Sequence, residues 1–375
     1  MHLALVTETY PPEVNGVAMT LSRIVGGLRV RGNTVEVVRP RQRQESGAGG
    51  AGDFLVPGVA IPFYSSLRIG LPVVWSLEEH WRERRPDVVH VATEGPLGLA
   101  ALTAAGRLGV PVTSSFHTNF HAYGGHYGVA ALRDSTLAYL RWFHNRTRLT
   151  LAPTRQMVAE LAEARFRGLA VMARGVDTGL FDPARRDQAL RASWGAGPDD
   201  PVVLYVGRVA AEKNLGLAVE AFLRLRELEP RLRFVLVGDG PAKEPLMRAH
   251  PEFHYAGMRR GAELAAHYAS GDLFLFPSVT ETFGNVVTEA LASGLVAVAY
   301  DYAATREHVR DGRNGFSARL GDAAAFHAAA SRALAERGNW PAVRAAARGT
   351  ALGLTWDSVV GRFEADIRSA ALPPR

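Results

Sequence analysis

LFLFPSVTETFGNVVTEALASGLVAVAY, residues Leu273 to Tyr300, is the stretch whose reading decides the fold. Leu273 to Phe276 is an uninterrupted apolar run of strand length. Pro277 and the polar residues after it break that run. Gly284 and Asn285 stand where a helix starts, and apolar residues then recur at helical spacing. Val296 to Tyr300 is a second apolar run. A strand, a loop, a helix and a strand with short connections predict neighbouring parallel strands covered by helices.

The pattern repeats outward. Val202 to Val206 and Arg233 to Val237 read as further strands of the same half, with helical periods between them. The other half behaves likewise. Leu3 to Thr7 is a short strand, Pro11 to Gly16 a loop, and Val17 to Arg31 a helix carried by Leu21, Ile24, Val25 and Leu28. Strands follow at Val35 to Val38, Val88 to Val91 and Val112 to Phe116. Gln42 to Asp53 reads as a Gly-Ala loop, and Leu132 to Leu149 as one amphipathic helix. Arg174 to Asp177 marks a crossover, and Trp356 to Arg368 reads as a final helix. The expectation is an α/β protein with two doubly wound domains and a ligand in a cleft at the strand C-termini.

A chain of 375 residues with 47% hydrophobic residues suffices for two cores. It contains no cysteine, which excludes disulfides, thiolate metal sites and cysteine nucleophiles. The formal charge of +6 favours anionic partners, yet the basic residues are dispersed and rarely interleaved with aromatics. Nucleic acid is therefore not the expected partner. No uncharged apolar stretch reaches the roughly 18 residues of a membrane span, and no targeting leader is evident.

The chemistry lies after the strands. Neither half carries a Gly-x-Gly-x-x-Gly fingerprint or a Walker loop, which weakens dehydrogenase and nucleoside-triphosphatase readings. After Val206 comes GRVAAEKNL, with Arg208 leaving the strand and Lys213 five residues on. Two cations at a strand's C-terminal edge suit a diphosphate, although solvated side chains are the commoner fate of such residues. After Phe276, the helix start at Gly284 and Asn285 offers free backbone N–H groups to phosphate. Glu281 and Glu289 flank it. They are placed to bind sugar hydroxyls, or else serve as a capping acid and a helix-face charge. His117, His121 and His126 cluster, but Gly124 and Gly125 make a helical zinc site a poor fit.

Taken together, Arg208 with Lys213 and ETFGNVVTEALASGL resemble the donor site of glycosyltransferase family four, retaining enzymes of the GT-B fold. ETYPPEVNGVAMTL (Glu8 to Leu21), FHTNF (Phe116 to Phe120), RGVDTGLF (Arg174 to Phe181), VGDGP (Val237 to Pro241) and DGRNG (Asp311 to Gly315) are similar to that family in the same order. The resemblance covers nearly the whole chain. It implies two facing Rossmann-like domains: an acceptor-side domain over 1–175 and a donor-binding domain over 176–355, with a helix over 356–375 returning to the first. It implies a catalytic set of Arg208, Lys213 and Glu281. The two cations would neutralise the leaving diphosphate, and Glu281 would contact the hydroxyls of the donor sugar. It further implies donor contacts from Gly16, His117, Gly238, Gly284, Asn285, Val286 and Glu289, the last on the ribose. No metal or other cofactor is implied; a nucleotide-diphosphate sugar is the co-substrate.

Two departures stand out. The glycine pair usual in the family's first loop is Asn15-Gly16, and the loop after Val298 reads YDYAATREH where relatives are glycine-rich. Within the family the motifs are most similar to GDP-mannose-dependent mannosyltransferases acting on lipid-linked or glycan acceptors. A UDP-hexose donor is the alternative, and an epimerase or a non-catalytic sugar-nucleotide-binding protein are the readings from other classes. The expected setting is cytoplasmic, peripheral at the inner membrane face. Leu137, Leu140 and Trp142, alternating with Arg133, Arg141, Arg146 and Arg148, would meet anionic lipid there, or else belong to a surface helix packed on the core.

Overall fold

The computed structural model describes residues 1–13, 15–42, 45, 50, 52–61, 64–117 and 130–372. The chain forms two compact units: Met1–Arg174 with Trp356–Arg375, and Gly175–Thr355.

In the first unit, strands β1 (His2–Val6), β2 (Thr34–Pro40), β3 (Asp53–Val56), β6 (Val88–Val91), β7 (Val112–Ser115), β8 (Leu149–Ala152) and β9 (Leu169–Val171) form a parallel sheet. Its order is β3-β2-β1-β6-β7-β8-β9. A hairpin of β4 (Gly58–Ile61) and β5 (Tyr64–Gly70) stands apart. Strand β1 shows why the sheet is covered on both sides. Ala4 and Val6 enter one core with Leu77, Trp81 and Leu97, while Leu3 and Leu5 enter another with Leu21, Ile24 and Leu28. The C-terminal helix Trp356–Ala371 joins that second core through Val360, Phe363 and Ile367. Its close approach to the helix Gly16–Val30 needs Gly27, where an added Cβ would lie 2.6 Å from Val360. At its rim Glu364 accepts from Arg31 and Asn33, which hold its carboxyl down at about 2.

The second unit is one sheet around one core. Strands β10 (Val202–Val206), β11 (Arg233–Val237), β12 (His254–Gly257), β13 (Leu273–Phe276), β14 (Val296–Tyr300) and β15 (Phe316–Ala318) run parallel in the order β12-β11-β10-β13-β14-β15. Both sheets therefore reverse direction of growth once: beside β1 in the first unit and between β10 and β13 in the second. Such a switch point opens a crevice at the strand C-termini.

One expected element differs. The helix read over Leu132 to Leu149 is Ala130–His144, and Leu149 already begins β8. Leu149 and Leu151 continue the apolar pattern in either period, so spacing alone did not separate helix from strand. Leu140 is buried and Leu137 packs against the same small core, so both face inward, whereas Trp142 is exposed. No helix among the described residues is long and apolar enough to cross a membrane.

Candidate functional site

The second unit's switch point gathers the charged residues. Gly207 and Arg208 leave β10, a 3-10 turn Ala211–Lys213 follows, and Asn214 at φ +53 opens the helix Leu215–Leu228. Asparagine tolerates that left-handed conformation better than most residues. From β13, the loop Pro277 to Gly284 leads into the helix Asn285–Ala292. These two exits meet. Lys213 Nζ lies 2.6 Å from Glu281 Oε1, and Ser278 Oγ donates to the same oxygen at 2.7 Å. The Thr280 hydroxyl donates to the Glu212 carbonyl, tying the loops together. Arg208 does not share this pair. Its guanidinium, 56% exposed, contacts Glu212 at 3.1 Å. Tyr205 donates its hydroxyl to the Arg208 carbonyl and holds the backbone at that point.

Gly284 caps the helix at φ +91, a conformation that favours glycine, and no side chain caps the first turn. Asn285 and Val286 thus present that turn partly open, and the Asn285 Oδ1 is buried without a partner among the described residues. Glu289, about one turn on, accepts the Tyr268 hydroxyl at 2.9 Å. Burial pushes its carboxyl up to about 7, and the Tyr268 bond only partly opposes this. Gly238, at φ +141, has a packing duty. An added Cβ would sit 1.9 Å from the Gly207 carbonyl, so only glycine lets the β10 and β11 exits cross.

The remaining sequence-predicted residues belong to the first unit. Gly16 begins the helix Gly16–Val30, but Asn15 Oδ1 already accepts from the amides of Val17 and Ala18. That helix start is consequently less open than the one at Gly284. His117 follows β7, and its Nδ1 lies 3.1 Å from Arg174 NH2. Burial, then the Arg174 charge, holds its pKa well below the ordinary value, so the ring is neutral. His121 and His126 lie outside the described residues. Among the described residues no group of three or more His, Asp or Glu is arranged to hold a metal.

Sequence reading missed several partners. Tyr268 is 21 positions from Glu289 and sits mid-helix, with no local signal. Ser278, Thr280 and Glu212 lay inside the quoted motifs but were indistinguishable from loop polar residues. At the first unit's switch point Glu8 was missed too. Burial raises its carboxyl to about 7 although it accepts the Leu97 amide.

Family models match both units: "Glycosyltransferase Family 4" over residues 14–180, and "Glycosyl transferases group 1" over 200–336. A GDP-mannose-dependent alpha-mannosyltransferase of Mycolicibacterium smegmatis is 36% identical, with 97% of each chain covered. A sulfoquinovosyl transferase of Arabidopsis thaliana is 30% identical over 85% of this chain and 64% of its own. Among solved structures, HepE from Anabaena with UDP aligns at a TM-score of 0.78 and 18% identity, covering 98% of this chain and 100% of that one. That likeness shows the fold. The chain belongs to glycosyltransferase family 4, as a hexosyltransferase of the GT-B class closely related to the GDP-mannose-dependent alpha-mannosyltransferases.

Proposed function

We propose that the protein moves mannose from GDP-mannose to a lipid-linked or glycan acceptor, with retention of anomeric configuration and without a metal ion. The observation that supports the reaction type is the Lys213–Glu281 pair at the switch point of the second unit, with Arg208 on the same β10 exit and Glu289 on the helix that follows the β13 exit. As the glycosidic bond breaks, the leaving diphosphate gains negative charge. Arg208 and Lys213 are cations at the strand exit where that charge would develop. Both carry an acid partner in the free protein, Glu212 and Glu281, so an arriving diphosphate competes for charges that are preoriented but not locked. The open first turn at Gly284, Asn285 and Val286 would donate backbone N–H bonds to a phosphate. Glu281 would bind the donor sugar's hydroxyls, Glu289 the ribose, and His117 the sugar. The departing phosphate takes the acceptor's proton, so no side chain need act as a nucleophile.

The choice of donor rests on the relatives. Three GDP-mannose-dependent alpha-mannosyltransferases match at 34 to 36% identity. An alpha-monoglucosyldiacylglycerol synthase of Acholeplasma laidlawii, 28% identical over 84% of each chain, is named for a glucosyl product, which keeps a hexose other than mannose, with a UDP-hexose donor, as the second reading. A thermal-shift panel of GDP- and UDP-sugars separates them. The true donor at about a hundred times its Kd adds about 2.7 kcal/mol of stability. Transfer from that donor should persist in excess EDTA. Activity lost to EDTA and restored by manganese or magnesium contradicts the metal-free reading.

A further inference from the structure

Arg174 pairs with His117, and the transfer chemistry above gives Arg174 no part. Both residues follow the C-terminal ends of strands that flank β8, His117 after β7 and Arg174 after β9. His117 comes directly after Phe116, whose amide bonds the Leu151 carbonyl of β8, and Arg174 comes two residues after Met172, whose amide bonds the Ala152 carbonyl. Arg174 is 4% exposed. A guanidinium has donors only, so its 3.1 Å contact with His117 Nδ1 makes that nitrogen the acceptor. A neutral imidazole with Nδ1 as acceptor carries its proton on Nε2. His117 Nε2 and Arg174 NH1 are both buried, and neither has a hydrogen-bond partner among the described residues. Two sheltered donors at a strand edge are costly to leave unmet, which points to an oxygen ligand that supplies lone pairs.

We propose that Arg174 is a positioning residue that locks His117 in the Nε2–H tautomer, so that His117 meets its ligand only as a hydrogen-bond donor to a hydroxyl or phosphate oxygen. This rests on the reading of His117 as a donor-sugar contact and extends it to a direction of bonding and to a second residue. Among the described residues Arg174 has no acid partner, so its burial is not compensated as that of an ion-paired arginine is. Its own pKa is lowered to about 10 by burial, and an apolar side chain of similar length would fill the space without that penalty. The other groups around the ring do not set the tautomer. His90 on β6 bonds Thr113 and Ser115, and burial lowers its pKa to about 3; His144 bonds Ser114 and Glu94. Both also disfavour a proton on His117, as Arg174 does.

The test is nitrogen NMR of 15N-histidine-labelled full-length protein, with His117→Gln assigning the resonance. In the wild type, Nδ1 should show the shift of an unprotonated nitrogen and Nε2 that of a protonated one. Arg174→Met should release the lock, giving mixed tautomers and moving the ring's titration toward neutral pH. Arg174→Lys, which keeps a donor, should restore the Nε2–H form in part. In parallel, kcat should fall roughly tenfold to a hundredfold in Arg174→Met, the scale of one charge-assisted hydrogen bond. Nucleoside-diphosphate affinity should be unchanged, and the acid limb of the kcat profile should move up in pH. A proton on Nδ1 in the wild type overturns the proposal whatever the activities, and it needs no variant to fold. If the tautomer is as stated but His117→Ala transfers at the wild-type rate, the lock stands and the reading of His117 as a sugar contact falls.

Discussion

The two ends of strands β10 and β13 carry the same kinds of charge in opposite states. At their N-terminal ends Asp272 is 5% exposed, and both its oxygens are saturated. Oδ1 takes Arg186 at 2.9 Å and Arg344 at 2.6 Å, and Oδ2 takes Arg191 at 3.1 Å and the Val202 amide at 2.8 Å. Arg191, itself fully buried, also donates to the carbonyls of Ser270, Gly197 and Asp200. At the C-terminal ends Lys213 and Glu281 form one contact, both part-exposed, and Arg208 projects largely into solvent. An ionic knot around a saturated, buried carboxylate organises chain segments and leaves that carboxylate no lone pair for a ligand. A half-satisfied cluster at a switch point has capacity to spare. The difference in saturation separates a stability site from a binding site, although composition does not.

Breaking the knot should give the largest change in stability. Asp272→Asn leaves the buried Arg191 and the part-buried Arg186 and Arg344 without their counter-charge and should destabilise the protein by about 3 to 5 kcal/mol in chemical denaturation. Burial opposes ionisation of Asp272, but Arg344, Arg186 and Arg191 outweigh it, and its pKa ends below the ordinary value. The stabilisation is therefore full above the unfolded carboxyl's pKa and is lost as pH falls through the lower folded value. The gap between wild type and variant should be wide at neutral pH and close in strong acid.

Glu289 is the opposite case. Its folded pKa of about 7 lies above the unfolded value, so the folded chain holds an extra proton between those limits and stability declines as pH rises through that window. Glu289→Gln should raise stability by about 2 kcal/mol above pH 7, where the carboxylate is charged, and by nothing near pH 4. The same variant should bind nucleoside diphosphate more weakly. Thermal melts at several pH values with a binding isotherm read both. The smallest effect concerns the surface outside both edges. Trp142 is exposed, and the Arg146 guanidinium sits 4.0 Å from its ring centroid. With Leu137 and Leu140 turned inward, the protein should sediment with anionic liposomes weakly and Trp142→Ala should reduce this; equal, negligible binding to anionic and neutral liposomes removes the membrane contact.

The doubly wound α/β class was legible because β10, β11, β13 and β14 are apolar runs separated by helical periods, and that pattern has few folds open to it. The short edge strands β9 and β15 and the hairpin β4-β5 were not, since three or four residues carry too little pattern. Within the site, charged motif residues could be placed at strand exits, but the pairings could not. Nothing near Arg208 in sequence shows that it takes Glu212 while Lys213 takes Glu281. The departure at YDYAATREH does have a physical echo. Ala303 is held at φ +51 and ψ −126, a conformation glycine adopts with less strain, in the loop where the resemblance implies glycine.

Turnover measured beside nucleoside-diphosphate affinity, in Arg208→Ala and Lys213→Ala, bears most directly on the assignment of the diphosphate site. Each variant should melt close to the wild type, because both side chains end at the open edge of the sheet. Each should lose on the order of a hundredfold to a thousandfold in kcat, about 3 to 4 kcal/mol of transition-state stabilisation. The double variant should lose less than the sum, since both cations act on one group. Near wild-type turnover in both folded variants would contradict the placement of the diphosphate at the β10 and β13 exits.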